Sequence, residues 1–179
     1  MALKLITAST ALAVTLDAMK MALRIDGAER DAEVTWAIQS ATAIVTHEAG
    51  REIMTQTFEV TLDAFPCAIE LTRVPVQSVT SITYANSDGT TTVMNGGSYA
   101  LDNSDDHGFA YVVPAYGAQW PATRDQINAV KVRYVAGYAA TAAEVTPIDV
   151  GRINAIMARW IDDPTSMDKR LSDVGRVYA

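Results

Sequence analysis

Apolar residues return first at helical spacing, then at strand spacing, then at helical spacing again. Leu16, Met19 and Leu23 share one helical face, and Thr15 stands where a cap belongs, so a short helix is expected over Leu16–Ile25. Asp26-Gly27 then breaks it, because glycine tolerates the turn and Asp can bond its own backbone. A long helix is expected over Glu29–Ala49, with Val34, Ile38, Ala41 and Val45 as its apolar stripe, widened by Ala37 and Ile44. Glu29, Asp31 and Glu33 suit the positive end of the helix dipole, and Gly50 suits a left-handed stop. Trp36, Ser40, Ala43 and His47 lie on a different face. That face packs inside the same domain or meets another chain.

From Thr55 the period becomes two. Gln56, Phe58, Val60 and Leu62 alternate with Thr57, Glu59 and Thr61, the mark of a half-buried strand. Further strands are expected at Ala68–Thr72, Val76–Tyr84, Thr90–Met94, Ser98–Asp102, Phe109–Val113 and Ala129–Val135. Turn signals separate them: Ser87-Asp88-Gly89, Asn95-Gly96-Gly97 and Asp105-Asp106-His107-Gly108. Short strands this dense pair antiparallel in a small sheet or sandwich. Pro114–Arg124 reads as a longer loop carrying Tyr116 and Trp120. Thr146-Pro147 with Asp149 opens the last helix, whose apolar face is Ile153, Ile156, Met157, Trp160 and Ile161, and Pro164 ends it.

The resulting class is α+β. Residues 1–53 form an N-terminal arm and two helices, and 54–136 an antiparallel β insertion. Residues 137–163 return to the helical framework as a C-terminal helix, and 164–179 are an extended tail. The tail holds too few apolar groups to offset roughly 1–2 kcal/mol of backbone entropy per ordered residue. The start, MALKLITASTALAVT, has one cation and an apolar core too weak for a signal peptide, so it reads as an extended arm.

Composition sharpens this little. The chain has 179 residues, one ordinary domain's worth, and 49% of them are hydrophobic, which excludes a wholly disordered chain. No apolar run is long enough to predict a membrane span. The single cysteine, Cys67, permits no internal disulfide. The net charge of −7 argues against a protein that grips DNA through its phosphates, though not against an acidic surface that DNA passes.

Candidate chemistry is sparse. His47-Glu48 lacks the second histidine of a zincin pattern. Asp102, Asp105, Asp106 and His107 form an acidic turn without the spacing of a calcium loop. No nucleophile elbow, P-loop or dinucleotide fingerprint occurs. No enzyme, metal or cofactor is expected.

The order of signals carries more. Leu16–Asp26 (LDAMKMALRID) precedes an acidic turn, and the long Ala-rich helix ends in Gly50-Arg51 before a Thr55–Thr57 strand. Arg73–Tyr84 (RVPVQSVTSITY), Ser87-Asp88-Gly89, Tyr116–Arg124 (YGAQWPATR), Ala129–Tyr138 (AVKVRYVAGY) and Pro147 follow in order. This set resembles the head–tail connector, or adaptor, proteins of long-tailed bacteriophages and prophages; gene transfer agents use similar proteins. The resemblance implies a structural virion protein, assembled in the host cytoplasm, that forms a dodecameric ring beneath the portal. Such a ring extends the DNA channel without binding duplex DNA tightly and meets a neck or tail completion protein.

By the same analogy the tail reaches the portal, with Lys169, Arg170, Leu171, Val174, Arg176, Val177 and Tyr178 as contacts. The face of Trp36, Ser40, Ala43 and His47 is the candidate subunit interface, a heterologous contact that closes by rotation. Two other classes compete. One is a carbohydrate- or host-binding β module built on Tyr116 and Trp120. The other is a hydrolase using Asp102, Asp105, Asp106 and His107.

Overall fold

The computed structural model describes residues 1–104 and 109–163. The described residues fold as two compact units, one from residues 1–8 and 55–137, the other from residues 9–54 and 138–163. In sequence terms the chain crosses from one unit to the other at 8/9, 54/55 and 137/138.

The helical unit contains α1 (Leu16–Leu23), α2 (Asp31–Ala49) and α3 (Pro147–Asp162). Each helix ends as its residues dictate. Thr15 Oγ1 accepts the Ala18 amide, satisfying one of the donors that a helix start leaves unpaired. Arg24 closes α1 in the left-handed region at φ 55°, and Gly50 closes α2 at φ 66°, where the lack of a side chain removes the strain. Thr146 caps α3 and Pro147 opens its first turn.

Met19, Val34, Ile38, Ile44, Ile53, Ile153, Met157 and Trp160 fill one core. Packing of this kind stabilises by roughly 1.5–3 kcal/mol for each large side chain removed from water. Because α2 packs against both α1 and α3, its buried face is wider than a single stripe. Ser40 and Thr46 are drawn into it.

The β unit contains β1 (Ala2–Thr7), β2 (Gln56–Leu62), β3 (Ile69–Leu71), β4 (Val76–Ala85), β5 (Thr91–Val93), β6 (Tyr99–Asp102), β7 (Ala110–Pro114) and β8 (Val130–Ala136). One sheet has five strands in the order β1-β2-β8-β4-β5, the other three in the order β3-β7-β6, and all pairs are antiparallel. Period-two alternation sends Phe58 and Val60 of β2 inward opposite Tyr134 and Val132 of β8. Ile69, Leu71 and Val112 from the smaller sheet complete the same core.

The first residues, expected as an extended arm, form a strand. Leu3 pairs with Val60 and Leu5 with Phe58, so β1 is an edge strand of the larger sheet. Its Leu-Lys-Leu alternation matches the pleat of β2, and pairing satisfies backbone groups that an arm would leave to water.

Candidate functional site

The face proposed on α2 divides when its burial is seen. Trp36 is 47% exposed, while Ala43 and His47 are half-buried. Ser40 is buried within its own helical unit, so it contributes no surface. On this face α2 exposes a large aromatic ring beside smaller, partly covered groups. The other candidate contact, Lys169, Arg170, Leu171, Val174, Arg176, Val177 and Tyr178, lies outside the described residues.

The loop aromatics also part company. Trp120 stacks on Phe65 with ring centroids 4.7 Å apart and planes 7° from parallel, and Phe65 meets Tyr84 edge-on. Backbone bonds pin the loop at both ends, from the Ala115 amide to the Ser98 carbonyl and from the Arg124 amide to the Ala85 carbonyl. Tyr116 alone stands fully in solvent.

Of the acidic turn, Asp102 accepts from the Ser104 hydroxyl at 2.7 Å and from its amide at 3.2 Å. These bonds hold its carboxyl below the ordinary carboxylate range. Asp105, Asp106 and His107 lie outside the described residues. Among the described residues no group of three or more His, Cys, Asp or Glu side chains could hold a metal ion. Nor is any described helix long and apolar enough to cross a membrane.

The densest polar geometry lies where no site was expected. Asp149, in the first turn of α3, has a fully buried side chain. Its Oδ2 accepts from Tyr138 Oη at 2.6 Å, Arg51 Nη2 at 2.8 Å and Thr146 Oγ1 at 2.9 Å. Arg152 lies 3.7 Å from Oδ1, and the Arg51 guanidinium stacks 5.0 Å from the centre of the Tyr138 ring. Burial pushes the Asp149 carboxyl up, but the bonds from Tyr138 and Thr146 and the charges of Arg51 and Arg152 outweigh it. The group stays below the ordinary carboxylate range. Burial and the bond to Asp149 push the Tyr138 phenol up.

The sequence marked Gly50-Arg51, Tyr138 and Pro147 as parts of an ordered resemblance, and their neighbourhood proves to be this one cluster. Its members lie 98 and 11 residues from Asp149, which spacing alone does not connect.

The fold is one found in gene transfer agent particles. A chain in the neck of an empty gene transfer agent particle, computed with C6 symmetry, matches with a TM-score of 0.74 and 20% identity, covering 90% of this chain and 84% of that one. A chain of the virion of a native gene transfer agent particle matches at 0.73 with 22% identity, and one from the native neck computed with C12 symmetry at 0.69 with 20% identity, both with the same coverage. No family model matches the chain, and no curated protein does.

Proposed function

We propose that this chain is a structural virion protein of the head–tail junction, an adaptor that forms a twelve-membered ring beneath the portal. The carrying observation is likeness over 90% of the chain to chains from necks computed with C6 and C12 symmetry. The ordered sequence resemblance points the same way by a separate route. A ring needs two complementary side faces on each subunit, and the Trp36 face is our candidate for one. Residues 164–179 are assigned to the portal. The lumen carries duplex DNA through without tight binding, for which a net charge of −7 is suited. The far side of the ring receives the next neck or tail component.

A carbohydrate-binding β module is disfavoured by Trp120. Its ring is stacked on Phe65, which leaves Tyr116 as the loop's solvent-facing aromatic.

The test mixes purified protein with the portal of the same particle and images the mixture in negative stain. Added twelve-fold density on one end of the portal is expected, and its loss on truncation after Asp163 with the fold intact. Portal without added density at any protein concentration would overturn the adaptor reading. Density that survives the truncation would overturn the tail assignment alone.

A further inference from the structure

Two strand edges of the β unit carry opposite charges. β1 ends the larger sheet and β3 ends the smaller one, each pairing on one side only. An open edge presents backbone amides and carbonyls that another strand can take up. On β1, Leu3 and Leu5 lie opposite Val60 and Phe58 and so face the core side of the sheet, yet they are 36% and 46% exposed. Lys4, on the other face, ends a row of alternating charge: it lies opposite Glu59, which pairs with Arg133 at 2.8 Å. β3 is the complement. Ile69 and Leu71 are buried in the core, and Glu70 between them lies on the other face, opposite Tyr111. Among the described residues neither Lys4 nor Glu70 has an ion-pair partner. The remaining edges match Lys4 less well, since β5 carries no charge and Asp102 of β6 is already bonded to Ser104.

We infer that β1 of one copy adds to β3 of the next, antiparallel, with Lys4 opposite Glu70, Leu3 opposite Leu71 and Leu5 opposite Ile69. One register meets three requirements. Backbone groups at both edges find partners. Leu3 and Leu5 continue the apolar layer of Leu71 and Ile69 and leave water. The charges of Lys4 and Glu70 meet as a cross-strand pair. A slip of one residue would turn Leu3 and Leu5 to the face of Glu70, so the alternation fixes the alignment. Antiparallel pairing is also the direction of every pair within the unit. Because the two edges differ, the contact is heterologous and repeats round a ring. The inference rests on the ring proposed above and gives it a contact made by the β unit.

Charge reversal tests it on the portal of the same particle, read as the protein concentration at which half the portals carry twelve-fold density. Lys4 is exposed and Glu70 half-buried, so Lys4→Glu and Glu70→Lys keep the fold, which thermal unfolding checks. Each variant alone sets like charges opposite each other at every contact, and the half-point should rise about tenfold. An equal mixture of the two variants should restore it, because alternating them round an even-numbered ring sets opposite charges at every contact again. Rescue by mixing comes neither from a pair within one chain nor from a pair with the portal. Should a reversal melt the subunit, Lys4→Gln and Glu70→Gln replace it, each raising the half-point about threefold and the two combined raising it no further. Single reversals that match wild type, a mixture no better than either variant, or additive neutral variants would overturn the strand pairing and leave the adaptor reading standing. Wild-type protein that adds no density to the portal would overturn the adaptor reading, and the pairing with it.

Discussion

The helical unit and the β unit use polar groups in opposite ways. The helical unit buries a carboxylate completely and surrounds it with a guanidinium, a phenol and a hydroxyl. The β unit keeps its ion pair Arg133–Glu59 on the sheet surface and fills its interior with aliphatic and aromatic groups, Phe58 lying 5.9 Å from Tyr134. The difference follows from backbone chemistry. Strands inside a sheet satisfy their amides and carbonyls on each other, so the side chains between two sheets can be apolar. Helices leave unpaired groups at every end. Beyond the end of α2 and in the first turn of α3, a carboxylate with several acceptor sites joins Arg51, Thr146 and Tyr138.

The largest test of that contrast removes the carboxylate. Asp149→Ala strands Arg51 and the Tyr138 and Thr146 hydroxyls together, and breaking a buried pair of this kind costs about 3–5 kcal/mol. The loss should appear as unfolding of the helical unit first, followed by exchange of α2 and α3 amides, while β8 amides remain protected. A loss below about 1 kcal/mol, the scale of an exposed pair, would show that the cluster is worth no more than a surface ion pair.

What the sequence made legible was local. The alternation at Phe58–Val60 and the heptad-like stripe at Val34–Val45 each report one element's own buried face, and the elements lie within a few residues of their expected bounds. The Thr15 and Thr146 caps were readable for the same reason, since a cap acts over three residues. The buried state of Asp149 was not readable. An acidic residue in a first turn serves the helix dipole equally well in water, and its burial is decided by Arg51 and Tyr138 arriving from elsewhere. The burial of Ser40 was not readable for a related reason: the width of a buried face depends on how many neighbours a helix has. The pairing of β1 with β2, which residues 8–55 separate in the chain, was likewise a tertiary choice.

Acid sharpens the contrast with a smaller effect. The Asp149 carboxyl is held below its unfolded value, so the stability it adds is present in full above about pH 4 and is lost as pH falls through the folded value. Protonation weakens the attraction to Arg51 without removing the side chain, so the loss is smaller than that of Asp149→Ala. Asp88 and Asp102 of the β unit are also held low, by hydrogen bonds from Thr90 and Ser104, but both are fully exposed. Denaturant midpoints followed separately in each unit should therefore fall more steeply for the helical unit below pH 4. In Asp149→Asn that extra slope should vanish. An equal slope in wild type and variant would assign the acid response to other carboxylates.

The smallest effect on folding is expected at Trp36, and it separates a surface from a core within one helix. Trp160 and Trp36 both belong to the helical unit, yet Trp160 is 3% exposed and Trp36 is 47% exposed. Trp36→Ala gives up only the contacts of the covered half of the ring, and partial relief from exposure on α2 offsets some of that loss. Alanine also carries the better helix propensity, by a few tenths of a kcal/mol. The monomer should lose no more than about 1 kcal/mol, the scale of an ordinary surface-to-intermediate substitution. Assembly should respond differently, because a truncated aromatic at the centre of an interface costs roughly 2 kcal/mol or more. Sedimentation of wild type and variant across a concentration series, beside their thermal unfolding, reads both quantities. If melting falls by many degrees while association is unchanged, Trp36 belongs to the fold of its own unit, and the subunit contact must be sought on another face.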